Sequence, residues 1–389
     1  MIRKSDVQWW VLEAKKHPES ALTIIEDLAQ RLTELDAENE RLRDEVIQLQ
    51  RRAPAAPPSA GGEEMHALRR KVATLQRLLD GETPAEPSAI FLTERMQPMR
   101  VALSEALRLA REGQPLTGTG APLSLRPDTA PPRHLVVARP HAELVLLTSQ
   151  ERGFRIQPSQ VPVLVEEKGW LPPGGPDLSA GERLTLAVAV AKPPRFWTVV
   201  TRRGYVRQFL RIEIDHKLDL GEPVVQSPAH NDTPVALVNG DEGDLLVLTR
   251  WGKGTRFPQR SIAGQGEIAL ELEADDEVVA ALSLPADGHV IIVTASGFAA
   301  RRDTSQLNAR SRPGGAGKPL IQAFDVLGAF RWEPEGRLLY MTYSGRLALI
   351  SMADIPVYQR SSKGTRVRTF DRDPAVAVTL VPTPAETRS

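Results

Sequence analysis

Three clusters of basic side chains are the residues whose type and spacing could do chemistry. Arg202, Arg203, Arg207 and Arg211 cluster at one expected hairpin turn, and Arg301, Arg302, Arg310, Arg312 and Lys318 at another. Arg360, Lys363, Arg366, Arg368 and Arg372 follow a third. Each cluster falls on or just after the second strand of an expected hairpin. Guanidinium forks and the bare amides of glycine loops suit phosphate oxygens and carry no base readout. The plainer reading is solubilising charge on exposed loops, balanced by the acidic runs Asp241-Glu242-Gly243-Asp244 and Glu271 to Glu277.

Other chemistries lack their residues. The chain has no cysteine, which excludes disulfides, thiolate metal sites and cysteine nucleophiles. The seven histidines are scattered, and His134 with His141 is only a pair at the ends of one expected strand, so no metal set is expected. Gly264-Gln265-Gly266-Glu267-Ile268-Ala269 matches a dinucleotide fingerprint by letters, but no βαβ pattern surrounds it. Gly252-Lys253-Gly254 lacks the rest of a phosphate loop, and no Gly-x-Ser-x-Gly occurs. No active site and no cofactor are expected, so the chain reads as a non-enzyme.

Bulk properties agree. Lysine plus arginine (49) equals aspartate plus glutamate (49) over 389 residues. The two parts of the chain barely differ, with 18 basic and 20 acidic side chains in 1–132 and 31 and 29 in 133–389. No overall field attracts nucleic acid or membrane, so anion binding must come from local clusters. The charged N-terminus has no signal-peptide core, and no apolar run reaches the roughly 18 residues needed to span a bilayer. A cytoplasmic protein is expected.

The elements that must position the basic clusters are repeats. Aligned on one threonine, LVLLTSQERGF, TVVTRRGYV, LLVLTRWGKGT, VIIVTASGFAA and LLYMTYSGRLA share an apolar run, a polar turn and a second run. The anchors are Thr148, Thr201, Thr249, Thr294 and Thr342, and the turn glycines are Gly153, Gly204, Gly252, Gly297 and Gly345. This is a hairpin signature, and its period of about 48 residues predicts a propeller or related radial array. A second strand recurs between the hairpins: HLVVAR, LTLAVAVA, PVALVN, VVAALSL, VLGAFRW and VAVTLVP. The last of these is placed to close a ring against the first, removing a free sheet edge. Five repeats span 134–383; whether residues 90–133 add a sixth blade stays open at this point.

Upstream, residues 20–51 carry four heptads. Ile25, Leu32, Asn39 and Val46 occupy position a, and Leu28, Leu35, Leu42 and Leu49 occupy d. One asparagine in the a row and attractive flanking pairs (Arg31 with Asp36, Glu38 with Arg43) predict a parallel homodimer rather than a helix on its own core. Thus 1–52 reads as an N-terminal helix, containing Trp9 and Trp10, followed by a dimeric coiled coil. Residues 53–133 read as a linker with short helices, beginning with the proline-rich APAAPPSAGG, and 384–389 as a tail.

The repeats resemble the C-terminal β-pinwheel of DNA gyrase A and its topoisomerase IV relatives, over roughly 134–382. The stretches that carry the resemblance include HLVVARPHAELVLLTSQERGFRIQPSQVP, RRGYVRQFLRIEI, GKGTRFPQRSI, ELEADDEVVAAL and ASGFAARRDTSQLNARSRPGGAGK. The resemblance implies a mainly β fold with strands exchanged between blades and a basic perimeter that binds and bends duplex DNA without sequence preference. Gyrase members carry a Q-R-R-G-G-K-G box; here Ser311 to Gly317 and Gln359 to Gly364 come near it, but neither is complete. The family's catalytic tyrosine lies in a separate domain, and the only tyrosines here (Tyr205, Tyr340, Tyr343, Tyr358) fall inside the repeats. The expectation is therefore a non-enzymatic, DNA-bending architectural protein, dimerised by its coil. The alternative is a protein-interaction scaffold or an accessory component of a topoisomerase.

Overall fold

The computed structural model describes residues 86–382 except 114–130, 162–177, 221, 229–231, 242, 308 and 371. The expected coiled coil, with its positions Ile25 to Leu49, and the tail lie outside the described residues, as do Trp9, Trp10 and the proline-rich linker. No described helix is long and apolar enough to cross a membrane.

The described chain begins with β1 (Ser88–Leu92), β2 (Pro98–Ala102), helix α1 (Leu103–Glu112) and β3 (His134–Ala138). It continues through β4 (Glu143–Thr148), β5 (Gly153–Ile156), β6 (Leu184–Val190), β7 (Phe196–Thr201), β8 (Tyr205–Leu210) and helix α2 (Arg211–Leu220). Then come β9 (Pro234–Asn239), β10 (Asp244–Thr249), β11 (Lys253–Pro258), β12 (Glu267–Ile268), β13 (Val278–Leu284), β14 (His289–Thr294) and β15 (Phe298–Asp303). The last strands are β16 (Lys318–Pro319), β17 (Val326–Arg331), β18 (Arg337–Thr342), β19 (Leu347–Ser351), β20 (Thr365–Arg366) and β21 (Ala375–Val381). Antiparallel pairing groups them into six blades, in the orders β2-β1-β3, β5-β4-β6, β12-β8-β7-β9, β16-β11-β10-β13, β20-β15-β14-β17 and β19-β18-β21.

The pinwheel thus has six blades and starts at Ser88, not His134. Residues read as linker supply its first hairpin, and HLVVA is that hairpin's inner partner. The six inner strands β3, β6, β9, β13, β17 and β21 touch one another in chain order, and β21 touches β3. They are the second recurring strand of the sequence, and they close the ring.

Period-2 geometry explains the core. Successive side chains of a blade's central strand point to opposite faces, so each strand serves two interfaces. Val145 and Leu147 pack towards the third blade while Leu144 and Leu146 pack towards the first. Leu245 and Val247 pack against the third blade, and Leu246 and Leu248 against the fifth. Six apolar clusters, one at each junction, result. Burial on both faces is why these strands read as continuous apolar runs rather than alternating ones.

After β11, β15 and β19 the chain crosses back to the preceding blade. β12 pairs with β8, β16 with β11 and β20 with β15, always antiparallel. At the ring's seam α1 takes the part of that exchanged strand. Ala106, Leu107, Leu109 and Ala110 of α1 share one cluster with Leu339, Met341 and Leu347 of the last blade.

The five repeated threonines are buried and structural. Each pairs with its inner strand across a register shift, from Thr148 with Leu184 to Thr342 with Ala375. Thr201 Oγ1 donates to Asp232 Oδ2 and Thr148 Oγ1 to Glu182 Oε1, both at 2.5 Å. Carboxylates at the same place, Asp276, Asp325 and Asp373, accept the amides of Trp251, Ser296 and Ser344 in the turns. Burial alone would raise the Glu182 carboxyl, but the Arg152 guanidinium, the Thr148 hydroxyl and the Ser179 amide hold it down at about 2.

Candidate nucleic-acid interface

The structure separates the predicted basic residues into four environments. Arg302 is a core residue: it is 5% exposed, and its Nη1 donates 2.9 Å to the Leu320 carbonyl, tying the exchanged segment after β16 to β15. Arg301 and Arg207 lie on blade walls, stacked over aromatic rings. The Arg301 guanidinium sits 3.6 Å from the Trp332 ring centroid and contacts His289 Nδ1, and that of Arg207 lies 4.6 Å from the Phe209 ring. Burial pushes the pKa of both Arg301 and Arg302 down. These contacts correct the expectation that Arg302 belongs to a free rim, since β-strand alternation turns one of two adjacent arginines inward.

Arg202 and Arg203 occupy the β7–β8 turn, on the face where all six hairpin turns meet, and not the outer perimeter. Arg202 is 3.8 Å from Glu277, which also pairs with Arg250 at 3.4 Å. Arg211 opens α2 and pairs with Asp215, which Arg155 also contacts at 2.9 Å. The wall of the second and third blades is therefore of mixed sign.

The remaining residues form a single class. Arg310, Arg312 and Lys318 lie on the loop that leads into β16, and Arg360, Lys363, Arg366 and Arg368 on the loop around β20. All seven are exposed. Among the described residues, none of them pairs with a carboxylate. Instead, the Lys363 ammonium and the Arg366 guanidinium lie over the Phe298 ring, 4.5 Å and 4.9 Å from its centroid.

These two loops are also the two incomplete boxes, and the fold gives them equivalent places. Each runs from a one-turn 3-10 helix, over Thr304–Gln306 or Met352–Asp354, to an exchanged strand. Each lies on the outer edge of a blade: Arg310 N donates to the Arg256 carbonyl, and Tyr358 N donates to the Arg301 carbonyl. Neighbouring loops are joined by Glu271 N to Gly315 O and Gln322 N to Ser362 O. The result is one continuous perimeter arc over the fourth and fifth blades. Gly314, Gly315 and Gly317 hold positive φ (106°, 81° and 64°), and the Arg310 guanidinium lies against Gly315, where a side chain would displace it.

Two glycines explain how the exchanged strands reach that edge. A Cβ on Gly252 would collide with the Ile321 carbonyl oxygen, and one on Gly297 with the Arg368 carbonyl oxygen; both residues have φ near +80° (77° and 86°). The turn glycine is thus the point over which the exchanged chain passes. In the second blade the equivalent left-handed position is Glu151 (φ 61°), while Gly153, expected as the turn glycine, begins β5 beneath Leu218 of α2 and Val224. In the first blade it is Met96 (φ 57°), following a sixth buried anchor, Thr93. A turn without glycine, followed by Pro98 at the head of β2, is what hid that blade in the sequence. The signal that would have found it was Ile90-Phe91-Leu92-Thr93, an apolar run ending in the same threonine.

Comparison with known proteins agrees with this geometry. A family model described as DNA gyrase C-terminal domain, beta-propeller, matches residues 244–285 and 288–325. DNA gyrase A of Haloquadratum walsbyi is 25% identical over 243 residues, covering 59% of this chain and 28% of that protein. DNA gyrase A of Aminobacterium colombiense is 22% identical over 258 residues, covering 64% of this chain and 31% of that protein. The chain thus spans about three tenths of the length of these curated relatives. A solved DNA gyrase A C-terminal domain superposes with a TM-score of 0.61 at 15% identity, covering 76% of this chain and 100% of that one. The C-terminal domain of DNA topoisomerase IV gives 0.52 at 15% identity, covering 76% and 93%. The described part of this chain has the β-pinwheel fold of the solved DNA gyrase A and topoisomerase IV C-terminal domains.

Proposed function

We propose that this chain is a non-enzymatic, sequence-nonspecific binder of duplex DNA that holds its ligand on the perimeter arc of the fourth and fifth blades. The observation that carries this reading is the set of seven exposed basic side chains, none paired with a carboxylate among the described residues, on two equivalent, hydrogen-bonded outer loops. Lysine and arginine at such sites neutralise phosphates and release condensed counterions, which supplies affinity without base readout. A convex arc of this kind favours a duplex bent to follow it, and the bending energy is repaid by added phosphate contacts. Because the wall of the second and third blades is of mixed sign, and α2 stands beside β5 of the second blade in place of an exchanged strand, the contact covers a sector of the rim and not its whole circumference. Dimerisation, read from the heptads Ile25 to Leu49, would tether two such arcs and raise their effective concentration on DNA.

Charge reversal tests the assignment. The quadruple variant Arg310→Glu, Arg312→Glu, Arg360→Glu, Arg366→Glu is expected to bind a fragment of about 150 base pairs at least tenfold more weakly at moderate salt. Unchanged binding by this variant, with an unchanged melting curve, would remove the arc as the interface.

A further inference from the structure

The face on which the hairpin turns meet carries a second set of exposed groups that the perimeter arc does not use. Backbone hydrogen bonds fix the order of the turns. Val278 N donates to the Arg202 carbonyl, Val326 N to that of Arg250, and Ala375 N to that of Ala295. Each inner strand therefore starts between two consecutive turns. Along the third to sixth blades the face presents Arg202 and Arg203, then Arg250 and Trp251, then Phe324, then Tyr343.

Three of these are aromatic rings in contact with water. Phe324, in the segment that leads into β17, is 75% exposed, and Tyr343, in the β18–β19 turn, is 52% exposed. Trp251 and Phe324 meet edge to face with ring centroids 5.9 Å apart, so the pair holds its orientation without a covering layer. Tyr343 is held by Arg133, whose guanidinium lies 4.0 Å from the ring centroid across the seam. Arg202 and Arg250 share the carboxylate of Glu277, while the carboxylates of Asp232, Asp276, Asp325 and Asp373 at the same turns are taken up by backbone amides. Arg203 is exposed, and only its backbone amide is engaged, by Asp232.

Fixed, exposed rings beside the guanidinium groups of Arg202, Arg203 and Arg250 fit a ligand that offers flat π-faces and phosphate together. Duplex DNA hides its base faces by stacking, whereas an unpaired strand offers them, and stacking on aromatic side chains tolerates any sequence. We propose that the turn face is a separate site for single-stranded nucleic acid. Bases stack on the Trp251–Phe324 pair and on Tyr343, and phosphates meet Arg202, Arg203 and Arg250. The site is independent of the perimeter arc, which lies on the outer edge of the blades.

The test uses the full chain and fluorescence anisotropy with two labelled probes, an oligothymidylate of about 20 nucleotides and a duplex of about 20 base pairs. The double variant Trp251→Ala, Phe324→Ala is expected to lose at least about tenfold in affinity for the single strand and to stay within about twofold of wild type for the duplex. The arginine-to-glutamate perimeter variant is expected to show the opposite pattern, so the two sites stand or fall separately. Absence of single-strand binding by wild type would overturn the proposal, as would unchanged single-strand binding by the double variant. Equal loss of both ligands with an unchanged melting curve would show one shared interface, which also overturns it. If Phe324→Ala alters only the protein's self-association, the face belongs to a second copy and not to nucleic acid.

Discussion

At the scale of single residues, neighbouring arginines have opposite fates. Arg302 is spent on the Leu320 carbonyl inside the protein, while Arg310 and Arg312, a few residues on, stand in solvent. Arg302→Ala should therefore lower stability by about 2 kcal/mol, the cost of leaving a buried partner unsatisfied, with duplex affinity unchanged well below the melting temperature. Thermal melts and DNA titrations on the same sample separate the two effects. Glu182 makes a pH-dependent contribution of definite sign. Its folded pKa of about 2 lies below the ordinary carboxylate value, so its stabilisation is complete above roughly pH 4.5 and is lost as pH falls towards 2. Glu182→Gln should remove on the order of 2 kcal/mol at neutral pH and flatten the acid limb of the stability curve. An acid limb of unchanged slope in Glu182→Gln would show that the turn lock is not what titrates. None of this was legible from residue types. The anchor threonines were visible, but their carboxylate partners were not, because the partners lie about 30 residues away (34 for Glu182, 31 for Asp232) in loops of variable sequence.

At the scale of elements, the hairpins and inner strands were readable because both follow burial directly. A central strand packed on two sides needs apolar residues at every position, and five such strands end in the same threonine. The first blade was not readable, since its turn uses Met96 in the left-handed region where four of the other turns use glycine. The exchanged strands are only two residues long and bear no apolar period, so they too escaped notice. Their dependence on the turn glycine can be tested. Gly297→Val forces a side chain into the Arg368 carbonyl at positive φ, with an expected cost of about 1–3 kcal/mol or more. Hydrogen exchange should show β20 and the loop bearing Arg360 to Arg368 opening first. Uniform protection across the blades would mean that the glycine is not the crossing point.

At the scale of the whole molecule, a neutral chain can still present a strongly basic surface if its acids are engaged elsewhere. Asp241 accepts the Arg195 and Phe196 amides, Asp244 pairs with Arg256 at 2.7 Å, and Asp276 accepts the Trp251 amide. Those acids belong to the runs that balance the basic clusters in the sequence. Folding consumes them and leaves the perimeter loops of two blades unbalanced. The sequence clusters therefore pointed to loops that stand exposed at Arg310 to Lys318 and Arg360 to Arg368. They misled at Arg302, whose inward side follows from strand register and not from composition. The central claim is that the exposed arc binds duplex DNA by charge. Binding of the 389-residue chain to a duplex of about 150 base pairs across a salt series tests it most directly, with a log–log slope of about −0.9 for each phosphate neutralised. The predicted result is a slope worth several phosphates, on the order of four to seven, unchanged between unrelated sequences. Binding that is absent at low salt, or whose affinity does not change with salt, would contradict it.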